Sequence, residues 1–458
     1  METAAVWLAF VLGSACGLLY IGAICGWGAI SVILEADGVC GDACAPGEEL
    51  PCPAQNNNLL LIYTIAMSAM NLSGTPGGIL CDKCGVIGGA AAAGVAVILG
   101  AAAVGVLDSS DSTMFQAAFV LMACGGNTTF FAALKMVFMF PQEKHATILS
   151  TICALYDASS AVPLLFFLAF SAGASREAIF LSYAASAAVL FAAWIGALLY
   201  VRSAGAAPDP KTSRAAGLSK DSFVAARLSA MQGRGSVMAS ERFTSTVYQE
   251  MPSAPSEHEV PTLHTSTLTG MLTSSQFFLG LLWFVLSAQR CNLYLGTVKY
   301  VLEEQGDDDN KYMAILTAML PLGLACVPVI AFVHDKLKLL GSMQAVTALG
   351  MVYGLCAIFL PLHLQPITFV LFAGYRAAVF SVFCIYATHV FGPLASGTVN
   401  GVIFFIGGIA SMSLAPISSF VNGSLDGDWS PVYHTYSALC LVQLVAVSLA
   451  ARWWRRAR

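Results

Sequence analysis

Charge is what this chain has least of. Of its 458 residues only 10% are Asp, Glu, Lys or Arg, 21 basic and 26 acidic, too few to coat a water-soluble fold of that size. A soluble globule is excluded. The net charge of -5 is not gathered into a basic stripe, so the chain offers no phosphate footprint and nucleic acid is excluded as a partner. No P-loop signature and no paired CxxC sets occur, and the lone Cys81-Asp-Lys-Cys84 is read as incidental. None of the seven His sits with a carboxylate or Ser near the centre of an apolar run. No catalytic residue, metal or cofactor is therefore expected, and an enzyme is the poorest reading.

What is there is apolar: 57% of the residues are hydrophobic, and the mean hydropathy is +0.75. A membrane span needs about 20 such residues, because a helix rises about 1.5 Å per residue across about 30 Å of hydrocarbon. Twelve runs qualify. Six lie near 5–33, 58–80, 86–106, 114–140, 146–171 and 178–202, and six near 274–300, 312–333, 340–361, 366–390, 396–421 and 432–453. The stretch 203–270 between them is rich in Ser, Thr, Ala and Pro and reads as a disordered cytoplasmic linker. The expected fold is an all-α membrane protein of 12 transmembrane helices in two six-helix bundles, 1–202 and 271–458.

Sorting the charges orients it. With both termini inside, 15 of the 21 basic residues fall on the cytoplasmic side, and the outer loops collect acidic ones such as Glu35, Asp37, Asp108 and Glu303. The first run has no basic leader and is long for a signal peptide, so it is expected to remain as span 1. Cys40, Cys44 and Cys52 share the first outer loop, where one disulfide is expected with one Cys left over; no His is there to favour zinc. Asn422-Gly-Ser is a glycosylation sequon expected on an outer loop, whereas the sequons at Asn71 and Asn127 fall inside spans.

Between runs 2 and 3 stands Gly78-Ile-Leu-Cys-Asp82-Lys83-Cys-Gly85, which resembles the GxxxD(R/K)xG signature of the major facilitator superfamily. The spacing has a reason. Gly78 lets two helices approach, and Asp82, four residues on, lies on the same face, where it can meet a helix N-terminus or a basic partner across the seam between halves. A weaker echo, Ala331-Phe-Val-His-Asp335-Lys336, lies between runs 8 and 9. Gly78, Asp82, Lys83, Asp335 and Lys336 are the candidate gating residues. Two sets of six spans around a long linker match that superfamily's outline, whose halves are related by a pseudo-two-fold axis.

Within it the chain resembles the L-type large-neutral-amino-acid transporters and the apicomplexan amino acid transporters. The likeness rests on Gly22-Ala-Ile-Cys-Gly26-Trp27; on Phe140-Pro141, Ile148-Leu-Ser150 and Tyr156-Asp157-Ala-Ser159; on Arg290-Cys-Asn-Leu-Tyr294-Leu-Gly296-Thr297; and on Tyr375-Arg376 followed by Phe391-Gly392-Pro393 and Gly397-Thr398-Val-Asn-Gly401. It covers nearly all of the membrane part but not the linker. The resemblance implies facilitative, sodium-independent transport, by uniport or exchange, and a cavity lined by spans 1, 4, 7 and 10.

Ionisable groups inside spans need partners or work, since each costs at least about 2.5 kcal/mol at the bilayer centre. Asp157 and Arg376 lie nearest mid-depth, Arg290 lies outward of it, and Lys135 is expected to snorkel inward. Arg376 suits a substrate carboxylate as a bidentate fork, and Asp157 suits an ammonium; the competing reading is that Asp157 and an Arg satisfy each other. Arg290 either joins the site or points to the outer vestibule. Gly22 and Gly26 share a helix face that packs closely or leaves room for a ligand. Asn127 and Thr128 follow Gly125-Gly126, a local weakening of span 4, and Tyr294 and Tyr375 are candidate walls of a side-chain pocket.

The leading expectation is a monomeric plasma-membrane carrier of neutral or large amino acids working by alternating access, with an endomembrane location open. Its partners are the lipid bilayer and a small-molecule substrate. The alternatives are a carrier of other small organic solutes such as monocarboxylates, with proton coupling through Asp157, and a non-transporting nutrient sensor that signals through linker hydroxyls such as Ser236 to Ser245.

Overall fold

The computed structural model describes residues 2–44, 52–206, 260–264, 266–307, 311–425 and 428–456. The linker stretch 207–259, with Ser236 to Ser245, lies outside the described residues. The chain forms two compact units, one of residues 1–141 and 158–252, the other of 142–157 and 253–458. The beginning of expected span 5 therefore packs with the second unit.

The first unit is built from α1 (Glu2–Tyr20), α2 (Trp27–Ala36), α3 (Pro53–Leu72), α4 (Gly74–Val106), α5 (Ser112–Lys135), α7 (Val162–Ser171) and α8 (Arg176–Ala206). α6 (His145–Ser159) begins in the second unit and ends in the first. The second unit holds α9 (Leu268–Leu272), α10 (Ser275–Glu304), α11 (Lys311–Met319), α12 (Val327–Phe359), α13 (Gln365–Ser411), α14 (Leu414–Ser424) and α15 (Ser430–Arg456). Among the described residues there is no strand. In lipid this follows from the backbone, which must satisfy its own polar groups within each segment.

Nine helices among the described residues are long and apolar enough to cross a membrane, and Leu61–Leu72 and Ala395–Ser411 are shorter apolar helices. Twelve separate spans were expected; the difference lies in how the runs join. α13 has 47 residues, and a straight helix of that length would extend about 70 Å, over twice the hydrocarbon thickness. Its backbone breaks at Gly392 (φ 71°, ψ -173°), α4 breaks at Gly85 (φ 70°, ψ -175°) and α12 at Lys338 (φ 59°, ψ -167°). Each therefore joins one expected run to part of a neighbouring one. Gly85 and Lys338 stand three residues after Asp82 and Asp335, so the two related motifs make the same backbone turn. Only glycine adopts that conformation without strain, and the second copy has Lys.

Other runs are broken within. Expected span 1 is α1 and α2 joined through the 3-10 turn Ala23–Gly26, and expected span 8 is α11 and α12 joined through the 3-10 segment Leu320–Cys326. Span 5 divides at Ser160 and Ala161 between α6 and α7.

Local chemistry sets the ends. Asp111 caps α5 by accepting from the Met114 amide (3.4 Å), and Asp307 caps α11 by accepting from Tyr312 (3.0 Å). Arg176 pairs with Asp37 at 2.5 Å while donating to the carbonyls of Val104 (2.6 Å) and Leu107 (2.8 Å), which α4 leaves without helical partners at its C-terminus. In the segment between α2 and α3 Cys44 and Cys52 form a disulfide, and Cys40 is a free, buried thiol. Asn422 was expected on an outer loop; it lies instead in the last turn of α14.

Candidate substrate site

The break in span 8 and the entry to span 5 meet in the second unit. There Arg376, on the first half of α13, places Nη2 3.0 Å from Asp157 Oδ1 on α6. Asp157 keeps 6% of its side chain exposed and Arg376 keeps 16%. Gly323, in the span 8 break, lies so close that a Cβ on it would stand 3.9 Å from Asp157 Oδ2. Tyr156 stacks on Phe380 beside the pair, with centroids 6.3 Å apart. Of the two sequence readings of Asp157, the mutual ion pair is the one the geometry forms. Two opposite charges at contact distance, with a small residue beside them and the Arg end partly open, are complementary to a group bearing both signs.

Arg290 goes elsewhere. It is 4% exposed and inside the second unit, donating from Nη1 to Cys440 Sγ (3.2 Å) and from Nη2 to Ser437 Oγ (3.4 Å), with its Cζ 5.1 Å from the centre of the Tyr353 ring. Gly354 makes the space, since a Cβ there would stand where the guanidinium lies. Arg290 is in no ion pair among the described residues. Arg290 was read either as part of the site or as pointing to the outer vestibule; its guanidinium turns instead toward Tyr353 and Gly354 on α12 and Ser437 and Cys440 on α15. Tyr294 and Tyr375 join the same cluster, Tyr294 against Phe372 (4.4 Å) and Tyr375 against Tyr353 (4.9 Å), and Tyr375 donates to the Ser287 carbonyl (3.3 Å). A cavity of about 220 Å³ lies further along α10, lined by Glu304, Trp429 and Tyr433 among others; none of the expected site residues lines it.

In the first unit the breaks of spans 1 and 5 adjoin. The Gly22 amide, freed by the end of α1, donates to Ser159 Oγ (2.7 Å), and a Cβ on Gly26 would stand 2.5 Å from the Ser160 carbonyl oxygen. Gly22 and Gly26 therefore serve close packing of two irregular segments. Gly126 does the same for α5, its would-be Cβ 2.5 Å from the carbonyl oxygens of Tyr20 and Ile21. Asn127 donates to the Met70 carbonyl (2.7 Å) and Ser73 Oγ (3.0 Å), closing the junction of α3 and α4, and Thr128 bonds back to the Cys124 carbonyl (2.8 Å).

The gating candidates separate. Lys135 was expected to snorkel inward; it is instead 3% exposed with Nζ 2.6 Å from Asp82 Oδ1, itself 8% exposed. A partner across the halves was expected for Asp82, and this one lies in its own unit, because α4 and α5 pack along their lengths and bring the two charges together. Gly78 is buried, and Lys83, Asp335 and Lys336 are exposed. Sequence reasoning missed the Asp82–Lys135 pair, Ser159, Gly323 and Gly354. The pair had a signal, since each buried charge in a span calls for an opposite one; Ser159 stood in the Tyr156-Asp157-Ala-Ser159 motif without an assigned role, and Gly323 and Gly354 had no signal.

No protein-family model matches the sequence. The chain is similar to Protein FMP42 of Saccharomyces cerevisiae (strain ATCC 204508 / S288c), 25% identical over 469 aligned residues spanning 93% of this chain and 90% of that protein. It is also similar to Equilibrative nucleobase transporter 1 of Bos taurus, 20% identical over 424 aligned residues, 86% of this chain and 83% of that one. Among solved structures it resembles the proton:xylose symporter XylE (12% identity, 100% of this chain and 96% of that one, TM-score 0.61). The human organic anion transporter MFSD10 is comparably similar (15% identity, 97% and 99%, TM-score 0.61). The chain is a multi-pass membrane protein with the fold of the major facilitator transporters.

Proposed function

We propose that this chain is a carrier of neutral or large amino acids, working by alternating access as a facilitative uniporter or exchanger. The buried Asp157–Arg376 pair is the observation that supports it. A zwitterion brings its own carboxylate and ammonium, so it can part the pair and form two ion pairs in its place, leaving every buried charge matched before and after. A monocarboxylate would strand the Asp157 charge unless a proton came with it, and a sugar has no charge to offer either group. The bundles of this carrier are 1–202 and 271–458, and Gly78, Asp82, Lys83, Asp335 and Lys336 are its gating residues. Arg290, Tyr294 and Tyr375 support the site from behind, and Asn127, Thr128, Gly22 and Gly26 hold the broken helices of the first bundle. The carrier works as a monomer in the plasma membrane with both termini cytoplasmic.

Nucleobase transport is a second reading, favoured by the likeness to a nucleobase transporter. Uptake of radiolabelled amino acids and nucleobases in oocytes, with and without a pH gradient, decides between the two. Uptake of large neutral amino acids, unaltered by pH, is expected; flat uptake for every amino acid sinks the substrate class. Counterflow in proteoliposomes separates a carrier from a sensor.

A further inference from the structure

Residues 260–264 lead into α9 and are held at several points. Val260 is fully buried, the Leu263 amide donates to the Val390 carbonyl at 2.7 Å, and Gln276 reaches the Pro261 carbonyl at 3.5 Å. His264 Nε2 lies 2.8 Å from the His389 carbonyl oxygen, which makes that nitrogen the N–H donor. All of these partners belong to the second unit.

The sequence gives one reason for the His389 contact. The first half of α13 breaks at Gly392, and the residue four positions after His389 is Pro393, which has no N–H to offer the His389 carbonyl as a helical donor. His264 supplies a donor that Pro393 cannot, and Leu263 adds a second one beside it at Val390. The fit extends to the turn. A Cβ on Gly392 would stand 2.6 Å from the His264 ring, so the glycine permits both the left-handed backbone and the seating of the imidazole.

We propose that residues 260–264 are a strap, the end of the inter-bundle connector, which caps α13 in trans at the Gly392 turn and, by holding that turn, slows the carrier's change of state. A helix end capped by a segment far away in sequence can be released without unfolding the helix. The connector thus acquires a mechanical hold on a break in α13, the helix that carries Arg376. His264 is a positioning residue in this scheme. Its rate effect rests on the carrier reading above; its seating does not.

The test compares wild type, His264→Leu and His264→Gln, whose side-chain amide keeps an N–H donor. Hydrogen–deuterium exchange of the full-length protein in lipid nanodiscs reads the amides of 260–267, and uptake of the best amino acid of the panel reads the rate, corrected for surface abundance. In His264→Leu, exchange of this segment is expected to rise about tenfold, as for the loss of one hydrogen bond worth about 1.4 kcal/mol. The maximal uptake rate is expected to rise at least about threefold with KM within about twofold, and His264→Gln restores both. Unprotected exchange in wild type, or equal protection in His264→Leu, overturns the strap. Lost protection with an unchanged rate leaves a structural cap and overturns its hold on turnover. If wild type moves no amino acid, the rate claim falls with the carrier reading, while the exchange arm still decides whether the strap is seated.

Discussion

Removing one member of the Asp157–Arg376 pair, and then both, separates what the pair does for folding from what it does for recognition. At 3.0 Å and an effective dielectric of about 20 the two charges attract by about 5 kcal/mol. Asp157→Asn or Arg376→Gln alone strands the other charge in a nearly closed site, and such a loss costs about 3–5 kcal/mol. The double variant strands nothing, so its destabilisation should fall short of the sum of the singles by at least about 2 kcal/mol. The assay is a double-mutant cycle on unfolding in lipid nanodiscs, run beside uptake measurements. Uptake should be lost in all three variants, including the double, which regains the fold without regaining the two charges a zwitterion needs. Additivity within about 0.5 kcal/mol would refute the pair as a buried, coupled unit. Amino acid uptake restored in the double variant would refute its part in recognition and leave it a packing device.

Three further outcomes are expected. Asp82→Asn removes the carboxylate that buried Lys135 faces and should destabilise the protein by about 3–5 kcal/mol, with most of this recovered in Asp82→Asn with Lys135→Met, whereas Lys83→Gln, on an exposed side chain, changes stability by under about 0.5 kcal/mol; thermal unfolding in nanodiscs checks both. Lys338→Gly relieves a backbone conformation that costs a non-glycine residue about 1–3 kcal/mol, so it should raise the unfolding midpoint, where glycine inside an ordinary helix turn would lower it by about 1 kcal/mol. Mass spectrometry after denaturing, non-reducing alkylation should find twelve modified cysteines, rising by two on reduction of Cys44–Cys52, while in the native protein Cys40 stays unmodified at neutral pH because burial and, secondarily, Asp42 push its thiol above the usual range.

Where the sequence reading succeeded, the information was local, and where it failed, the information lay between segments. The apolar runs, the cysteines between α2 and α3 and the charges within the runs are visible because each is a property of about 20 residues or fewer, the scale on which lipid and the helix impose their rules. The partner of a charge is not such a property. Lys135 looked like a candidate for snorkelling because its own run says only that it stands near an end; that Asp82 waits on α4 follows from how α4 packs on α5. Arg290 is the same case, since the Gly354 that admits it and the Ser437 and Cys440 that receive it lie on two other helices. The breaks are intermediate. Gly85 and Gly392 announce themselves, yet Lys338 makes the same turn with a side chain that argues against it, and only its register three residues after Asp335, as Gly85 follows Asp82, betrays it. A helix tolerates such a residue when the residues around it determine the turn more strongly than it opposes it, so the strain at Lys338 measures how firmly the motif in the second unit imposes the geometry that glycine makes easy in the first.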